Sequence, residues 1–356
     1  MLMAKGYFSI AHVCLARGYS HAHRQTELLI KALGALGPFQ YLICRDDSPL
    51  TKRLKVLKSN IKIIKVHGIV DPRFSCHFKL MRKATIVHAH DQHGANWALV
   101  HNVMFGVPYV LNVRGRDKYD DTLFNKTLFN WASAVITTQT LTNEMLKNDF
   151  HVQAKTIKEC TDNLVPYKPN VDGLREAYKG RYLIGMVADL INRLYGQTTL
   201  LEAYELIKTK LPHAVIFFIG TGDDMALLRD KARELPNVKF LGRPKHMVDY
   251  IAALDLFVYP VNYEGNTSIL LDVLDQSVPI IASNVGSISD IIVNEETGIL
   301  VRPKDPEALA DAIMRVKGDE GLVRHMVANG AAMAHSRESP YMASEYLSVY
   351  RQSLNN

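Results

Sequence analysis

The stretch that decides the fold is FVYPVNYEGNTSILLDVLDQSVPIIASNVGSISDIIVNEETGILV, residues 257–301. An apolar strand pattern at 256–259 leads through a loop into a helical pattern at 267–276. A second apolar strand pattern follows at 279–282. Continuous apolar runs without alternation are typical of strands that are buried on both faces of a parallel sheet. The stretch therefore predicts a βαβ unit with a right-handed helical crossover.

The same alternation of strand runs and helical segments extends over the whole chain. The other apolar runs are 7–15, 40–44, 61–66, 84–89, 109–113, 134–138, 182–187, 214–219, 238–241 and 298–301. They predict an α/β protein with two facing, Rossmann-like, doubly wound parallel sheets and a ligand crevice between them. Turn-forming residues concentrate between the halves. The predicted parts are an N-terminal domain at 1–165, a linker at 166–181, a C-terminal domain at 182–335 and a terminal helix at 336–356 that packs back on the N-terminal domain.

Composition narrows the class of protein. The 356 residues are 47% hydrophobic and 22% charged, which is ordinary globular composition for about two domains. No run approaches the ~18 apolar residues of a membrane span, and the first residues lack the basic head of a signal peptide. The four cysteines lie far apart, without the spacing of a zinc site or a disulfide framework. We therefore expect a cytoplasmic protein.

Charge is distributed unevenly along the chain. Residues 1–170 hold 23 Lys and Arg against 12 Asp and Glu, whereas residues 171–356 hold 19 against 24. The basic half suits an anionic partner, and solvated lysines without a partner are the alternative. At helical spacing, segment 51–65 gives a basic face beside an apolar stripe, which predicts contact with an anionic inner-membrane surface or, alternatively, a core-packed helix. Nucleic-acid binding is disfavoured because the basic region lacks interleaved aromatic residues.

The helix start within the deciding stretch has the features of an anion site. Free backbone N–H groups at the strand's carboxyl edge suit a diphosphate, and a glycine lets the backbone approach it closely. The residues that supply them are Gly265, Asn266, Thr267 and Ser268. Two acids stand eight residues apart, Glu264 before the helix and Asp272 within it. An Asp is unfavourable inside a helix, so Asp272 is either a ligand for a vicinal diol or a solvated surface carboxylate.

Together these residues resemble the retaining glycosyltransferases of family four, which have the GT-B fold. The matching positions are Glu264-Gly265, the second acid Asp272, the strand at 278–283, the turn at 285–287 and the segment 294–301. The resemblance extends to 17–37, 86–117, 185–204, 216–232 and 239–260. It is strongest for enzymes that build bacterial lipopolysaccharide core and other surface glycans.

The resemblance implies a nucleotide-sugar donor, a glycan or glycolipid acceptor, retention of configuration and no metal or other cofactor. It implies catalytic roles for Glu264, Arg193 and His90. The donor-binding residues that it implies are Gly265, Asn266, Thr267, Ser268, Asp272, Arg243 and Gly220. On the acceptor side it implies Gly18, Tyr19, His93, Arg114 and Asp117. The nucleotide (UDP, GDP or ADP), the sugar, the acceptor and the linkage stay open.

Three departures from the family pattern leave alternatives open. The second acid is Asp272 rather than Glu, and Arg114 stands where many relatives have a His. Asp189 occupies the place of an arginine that usually grips the donor phosphates, so that Arg193 is the basic residue that remains there. A catalytically impaired protein that binds glycans or nucleotides is therefore one alternative. A sugar-nucleotide epimerase on the same scaffold is another.

Three histidines follow one another closely at His88, His90 and His93. His90 or His93 is expected to orient an acceptor hydroxyl, and a core histidine bonded to the backbone is the alternative. Alternation along a strand directs His88 and His90 to one face. A metal needs a further ligand there, and the sequence offers none that is clear.

Overall fold

The computed structural model describes residues 8–55, 60–67, 74–114, 119–263 and 267–355. They belong to two compact units, each with its own parallel sheet. The N-terminal unit comprises residues 1–160 together with 339–356. The C-terminal unit comprises residues 161–338. The predicted α/β class with two doubly wound parallel sheets is confirmed.

The N-terminal unit contains a seven-stranded sheet in the order β3-β2-β1-β4-β5-β6-β7. Its strands are β1 Ser9–Cys14, β2 Phe39–Arg45, β3 Ile61–Val66, β4 Ile86–Ala89, β5 Tyr109–Val113, β6 Ala134–Thr137 and β7 Lys155–Thr156. Its helices are α1 His21–Ala35, α2 Leu50–Leu54, α3 His77–Leu80, α4 Gln92–Phe105, α5 Leu123–Asn130, α6 Thr140–Phe150 and, from the end of the chain, α15 Ser339–Ser353.

The two faces of this sheet carry separate apolar cores because successive side chains of a strand point to opposite faces. Ile10 of β1 and Ile86 of β4 share one face with Tyr346 and Tyr350 of α15. Val13 belongs to the other core, which Trp97 of α4 also enters. The last helix of the chain thus covers the face to which the even-numbered residues of β1 and β4 point.

The C-terminal unit contains a six-stranded sheet in the order β10-β9-β8-β11-β12-β13. Its strands are β8 Tyr182–Val187, β9 Ala214–Ile219, β10 Val238–Gly242, β11 Leu256–Tyr259, β12 Ile280–Ser283 and β13 Ile299–Val301. Its helices are α7 Lys168–Ala177, α8 Asn192–Tyr195, α9 Gln197–Ile207, α10 Met225–Lys231, α11 Met247–Ala252, α12 Ser268–Asp275, α13 Pro306–Gly318 and α14 Glu320–His335, with a 3₁₀ helix at Gly286–Asp290.

The stretch that the sequence analysis predicts as a linker contains a helix. Helix α7 carries Pro169 in its first turn, where a missing backbone N–H costs nothing. Arg175 of this helix donates to Asp255 in front of β11, at 2.9 Å between Nη1 and Oδ1. Pro169 therefore lies in the first turn of a helix and Gly173 lies within it, so this stretch is not a continuous turn.

The predicted amphipathic helix at 51–65 is wrong. Helix α2 ends at Leu54, and Leu50 and Leu54 are fully buried in the core. Residues 61–66 instead form β3, which pairs with β2 in parallel. The β-branched residues of this run favour a strand, so Lys62 and Lys65 lie on an edge strand and not on a helix face.

Candidate functional site

The strand order of the C-terminal unit creates a crevice at one place. Strands β8 and β11 are neighbours, but the chain leaves β8 toward β9 on one side and leaves β11 toward β12 on the other. The loops that follow these two strands therefore diverge at the carboxyl edge of the sheet. In open α/β sheets this switch point is where ligands bind.

Residues after β11 are tied to the helix that follows β8. The backbone N–H of Asn262 donates to the carbonyl of Leu194 at 2.9 Å. The Asn262 side-chain amide donates to the carbonyl of Asn192 at 3.2 Å. Gly196 has a φ of +66°, and a Cβ there would lie 2.1 Å from the Pro260 carbonyl oxygen. Position 196 therefore requires glycine for two separate reasons, and sequence reasoning missed it.

Gly220 has a packing reason to be a glycine. It follows β9 with a φ of +148°, and a Cβ would lie 1.9 Å from the Ala188 carbonyl oxygen. Its N–H donates to the carbonyl of Gly242 at 2.7 Å. The turn after β9 thus packs directly against the backbone that follows β8. The predicted contact of Gly220 with a donor stays a prediction.

The cations near the crevice differ in their surroundings. Arg193 is exposed on α8. Arg243 pairs with Asp189, with 2.8 Å between Nη2 and Oδ1, and both side chains are at least half exposed. Exposed pairs of this kind contribute at most about 1 kcal/mol. A bound diphosphate can therefore compete for Arg243.

Three further predicted donor residues that the structure describes lie at or in helix α12. Thr267 precedes it, Ser268 begins it and Asp272 lies within it, each less than a tenth exposed. Burial, followed by repulsion from the Asp272 carboxylate, raises the pKa of Asp275. Asp272 is thus a buried acid, and the alternative of a solvated surface carboxylate is wrong. Glu264, Gly265 and Asn266 lie outside the described residues.

In the N-terminal unit, Asp91 fixes the backbone at the carboxyl edge of the sheet. Its Oδ2 accepts hydrogen bonds from the N–H groups of Leu15 at 2.7 Å and Ala16 at 3.1 Å. Its Oδ1 accepts from the N–H of Gly94 at 2.8 Å and caps α4. Sequence reasoning missed this residue, although an Asp directly before a helical pattern is a typical N-cap signal.

The predicted acceptor loop at Gly18 and Tyr19 is hydrogen-bonded to a buried acid, Glu27. Gly18 has a φ of +79°, which favours glycine. The Tyr19 hydroxyl donates to Glu27 Oε2 at 2.6 Å, and the Arg53 guanidinium lies 4.7 Å above the Tyr19 ring. Burial opposes ionisation of Glu27, but hydrogen bonds from Lys31, Tyr19 and Arg53 lower its pKa overall.

Three buried histidines converge at the same edge. His12 of β1 and His88 of β4 are register partners, and His90 follows two residues after His88. His12 Nδ1 lies 2.9 Å from His90 Nε2. Burial lowers the pKa of His12 to about 4 and those of His88 and His90 well below the usual value. The expectation of no clear further ligand is therefore wrong, because His12 supplies one from the neighbouring strand.

The remaining predicted acceptor residues divide into buried and exposed ones. His90 is 2% exposed, and Arg114 Nη1 donates to its carbonyl at 2.9 Å. His90 and Arg114 line a small pocket together with Asn112 and Tyr346. His93 is exposed in the first turn of α4, and Asp117 lies outside the described residues. A direct contact of His90 with an acceptor thus requires a group that enters this pocket.

Two doubly wound parallel sheets in two units define the GT-B class of fold, and a solved structure shares it. Anabaena Alr3699/HepE in complex with UDP and glucose is similar to this chain with a TM-score of 0.79 and 15% identity. The match covers 96% of this chain and 99% of that one. At this identity the likeness concerns the fold.

A match to a known protein family lies in the C-terminal unit. Residues 181–319 match the model of the family described as glycosyl transferases group 1. This match includes α12, the crevice between β8 and β11, and the predicted donor residues. The C-terminal unit is therefore similar to that family, and the resemblance to glycosyltransferases that the sequence predicts is confirmed.

Two relatives show how far the sequence similarity extends. A putative teichuronic acid biosynthesis glycosyltransferase of Bacillus subtilis is 25% identical over 66% of this chain, and the match spans 62% of that relative's length. The UDP-Gal:alpha-D-GlcNAc-diphosphoundecaprenol alpha-1,3-galactosyltransferase of Escherichia coli is 24% identical over 81% of this chain and 84% of its own length. Both are glycosyltransferases by name.

Proposed function

We propose that this protein is a retaining glycosyltransferase that moves a sugar from a nucleotide-sugar to a glycan or a lipid-linked glycan. The observation that carries the proposal is the start of α12, with buried Asp272, beside the crevice of a glycosyl transferases group 1 domain. The Escherichia coli relative, which acts by name on a diphosphoundecaprenol-linked sugar, supports a lipid-linked acceptor. The pathway that we propose is bacterial lipopolysaccharide or surface polysaccharide synthesis, at the cytoplasmic side of the membrane.

The proposed roles follow from the chemistry of each group. Backbone N–H groups before α12, from Gly265 to Thr267, hold the donor phosphates, since a helix start favours anions. Glu264 hydrogen-bonds sugar hydroxyls, Asp272 accepts from the ribose diol, and Arg193 neutralises charge on the leaving diphosphate. All three assignments rest on the family pattern together with the burial of Asp272.

The proposed reaction needs no nucleophile from the protein. The acceptor oxygen forms a bond to the anomeric carbon on the face from which the phosphate oxygen leaves. The acceptor proton passes to that phosphate oxygen, so the products are a nucleoside diphosphate and an elongated glycan with retained configuration. This differs from the double displacement of retaining glycosidases, which requires two carboxylates on either side of the anomeric centre.

Replacement of Glu264 by alanine tests the proposal. Wild-type protein should release nucleotide from at least one of UDP-, GDP- or ADP-sugars when a glycan acceptor mixture is present. Glu264→Ala should lower this rate at least about tenfold, the effect of losing roughly 1.4 kcal/mol of transition-state stabilisation. Glu176→Ala, which removes an exposed acid of α7, is the matched control and should leave the rate unchanged.

The competing readings predict different products. If the folded wild-type protein binds a nucleotide-sugar but releases no nucleotide, it is a binding protein, a reading that the Asp189–Arg243 pair in the phosphate region favours. If the sugar of the donor isomerises without an acceptor, the protein is an epimerase. The anomeric configuration of the product, read by NMR, decides between retention and inversion.

An exposed surface of the N-terminal unit fits a membrane better than segment 51–65 does. We define this aromatic-basic surface as the exposed residues Phe74, Phe78, Met81, Val103 and Met104 with Lys79, Arg82 and Lys83. Helices α3 and α4 join in it, since Arg82 Nε donates to the Phe105 carbonyl at 3.1 Å. Stretches 74–83 and 101–106 contain no Asp or Glu. Exposed apolar side chains beside lysine and arginine side chains suit an anionic bilayer surface.

Vesicle flotation measures this contact. Wild-type protein should float with phosphatidylglycerol vesicles and much less with phosphatidylcholine vesicles. Phe78→Ser should lower binding about tenfold, because an inserted Phe is worth up to about 2 kcal/mol. Leu123→Ser, which changes a side chain 85% exposed on α5, is the control. Equal losses in the two variants, or equal binding to the two lipids, would rule out this surface.

The lipid contact concerns the surface of the bilayer. Among the helices that the structure describes, none is both long enough and apolar enough to cross a membrane.

A further inference from the structure

We infer that His12, His88 and His90 form a site for a divalent transition-metal ion, with zinc as the fitting example. One ring nitrogen of each histidine lies within 4.8 Å of those of the other two. All three side chains are almost completely buried. The site belongs to the N-terminal unit and is independent of the proposed donor chemistry.

The register of the sheet explains why the three rings meet. His12 and His88 are direct partners on adjacent parallel strands, so their side chains leave the same face. His90 lies two residues beyond His88 and returns to that face. Ring centroids lie 5.2 Å apart for His12 and His90, and 5.8 Å apart for His12 and His88. Three imidazoles can thus approach one point from two chain segments.

The neighbours of His12 and His88 leave one nitrogen of each ring for a metal. Gln40 donates through Nε2 to the Ile30 carbonyl at 3.0 Å, so its Oε1 faces His12 Nε2, also at 3.0 Å. His12 Nε2 therefore carries the proton of the neutral ring, and Nδ1 keeps its lone pair. Tyr350 contacts His88 Nδ1 at 2.7 Å, which leaves His88 Nε2. Hydrogen bonds of this kind on the outer nitrogen orient histidine ligands in metal sites.

Two buried ring nitrogens of the cluster have no hydrogen-bond partner among the described residues. They are His88 Nε2 and His90 Nδ1. A buried polar atom without a partner costs about 1–3 kcal/mol. Coordination through His88 Nε2 would remove one of these costs. It would also replace the His12–His90 contact, in which two nitrogens share one proton.

The donor set selects the class of ion. Three neutral imidazoles suit Zn²⁺, Co²⁺ or Ni²⁺, and they do not suit Mg²⁺ or Ca²⁺, which prefer oxygen ligands. Tetrahedral zinc with Zn–N bonds of ~2.0 Å places its ligands about 3.3 Å apart. The 2.9 Å between His12 Nδ1 and His90 Nε2 is already close to that separation. The adjoining pocket beside His90 has a volume of about 10 Å³, close to what one water needs, and offers a fourth ligand.

The ion would join the carboxyl ends of β1 and β4. These ends lead into the loop that Asp91 holds and into the N-terminus of α4. Metal binding would therefore stabilise the edge of the sheet on which the predicted acceptor residues lie. Because the rings are buried, the ion would enter as the chain folds, and release by chelators would be slow.

Refolding of the metal-free full chain at increasing Co²⁺ concentrations tests the site. We expect one Co²⁺ per chain, visible absorption bands of a tetrahedral ion, displacement by Zn²⁺ and no competition from Mg²⁺. His12→Gln and His88→Gln should each weaken binding at least about tenfold, as loss of a ligand or its support does elsewhere. His67→Ala, which removes a histidine 69% exposed in the same unit, should leave binding unchanged.

X-ray absorption of the zinc-loaded wild-type chain keeps the test independent of how the variants fold. Three imidazole ligands at about 2.0 Å are expected. Substoichiometric binding, fewer than three imidazoles, or binding that persists unchanged in His12→Gln would overturn the inference. In that case the cluster holds a water or a shared proton only. Because the readouts are optical and spectroscopic, they do not depend on glycosyltransferase activity.

Discussion

Replacing Gly196 by alanine should lower the free energy of unfolding by about 3 kcal/mol or more and abolish sugar transfer. The new methyl group would lie 2.1 Å from the Pro260 carbonyl oxygen, which is backbone and cannot rotate away. The φ of +66° adds a cost of about 1 kcal/mol for any residue with a Cβ. The chain around Gly196 and the chain around Pro260 would have to move apart. The residues that lead from Pro260 toward Glu264 along the chain would then move as well. Urea unfolding and the nucleotide-release assay measure the two effects.

Two other glycines of the C-terminal unit separate the causes. Gly180 has a φ of +72°, but a methyl group at this position would meet no atom within 4 Å, so Gly180→Ala should show the conformational cost alone. Gly173 lies in α7 without positive φ and with open space around it, so Gly173→Ala should stabilise by up to about 1 kcal/mol. If Gly196→Ala costs no more than Gly180→Ala, the close approach to Pro260 is not what requires glycine.

The sequence predicts the strands well because a strand that is buried on both faces is a continuous run of apolar residues. Runs at 61–66, 109–113, 182–187 and 214–219 coincide with strands of the structure. Strand β7 escapes prediction, since two residues on the edge of a sheet carry no pattern. Helix α7 also escapes prediction, because Pro169 and Gly173 are read as turn residues. Proline is, however, tolerated in the first turn of a helix.

The candidate site is predictable only where one continuous segment builds it. The segment around α12 holds its acid, its helix start and its strand in a row, so its resemblance to glycosyltransferases is visible in the sequence. Asp189 and Arg243 are 54 residues apart, and their ion pair depends on two turns of the sheet edge. His12 and His88 meet through strand register, which the spacing within either strand does not encode. Contacts between segments that are distant in the sequence are therefore visible only in the structure.

Replacing Asp91 by alanine should lower the free energy of unfolding by about 3 kcal/mol or more. Three backbone N–H groups would lose a charged acceptor, two from the loop after β1 and one at the start of α4. Hydrogen bonds to a charged group are worth about 1.5–3 kcal/mol each, although they do not add fully. Because Leu15 and Ala16 lead into Gly18 and Tyr19, we also expect a higher KM for the acceptor with little change for the donor.

A simple helix cap is the right comparison for Asp91. Asp319 accepts from the single N–H of Leu322 at 2.8 Å at the start of α14, so Asp319→Ala should cost only about 1 kcal/mol. Asp91→Asn keeps one carbonyl oxygen and loses the charge, so its cost should fall between the two. Equal costs for Asp91→Ala and Asp319→Ala would mean that the bonds to Leu15 and Ala16 contribute nothing. A loss of stability without a change in the acceptor KM would mean that the loop that Asp91 holds is not part of the acceptor site.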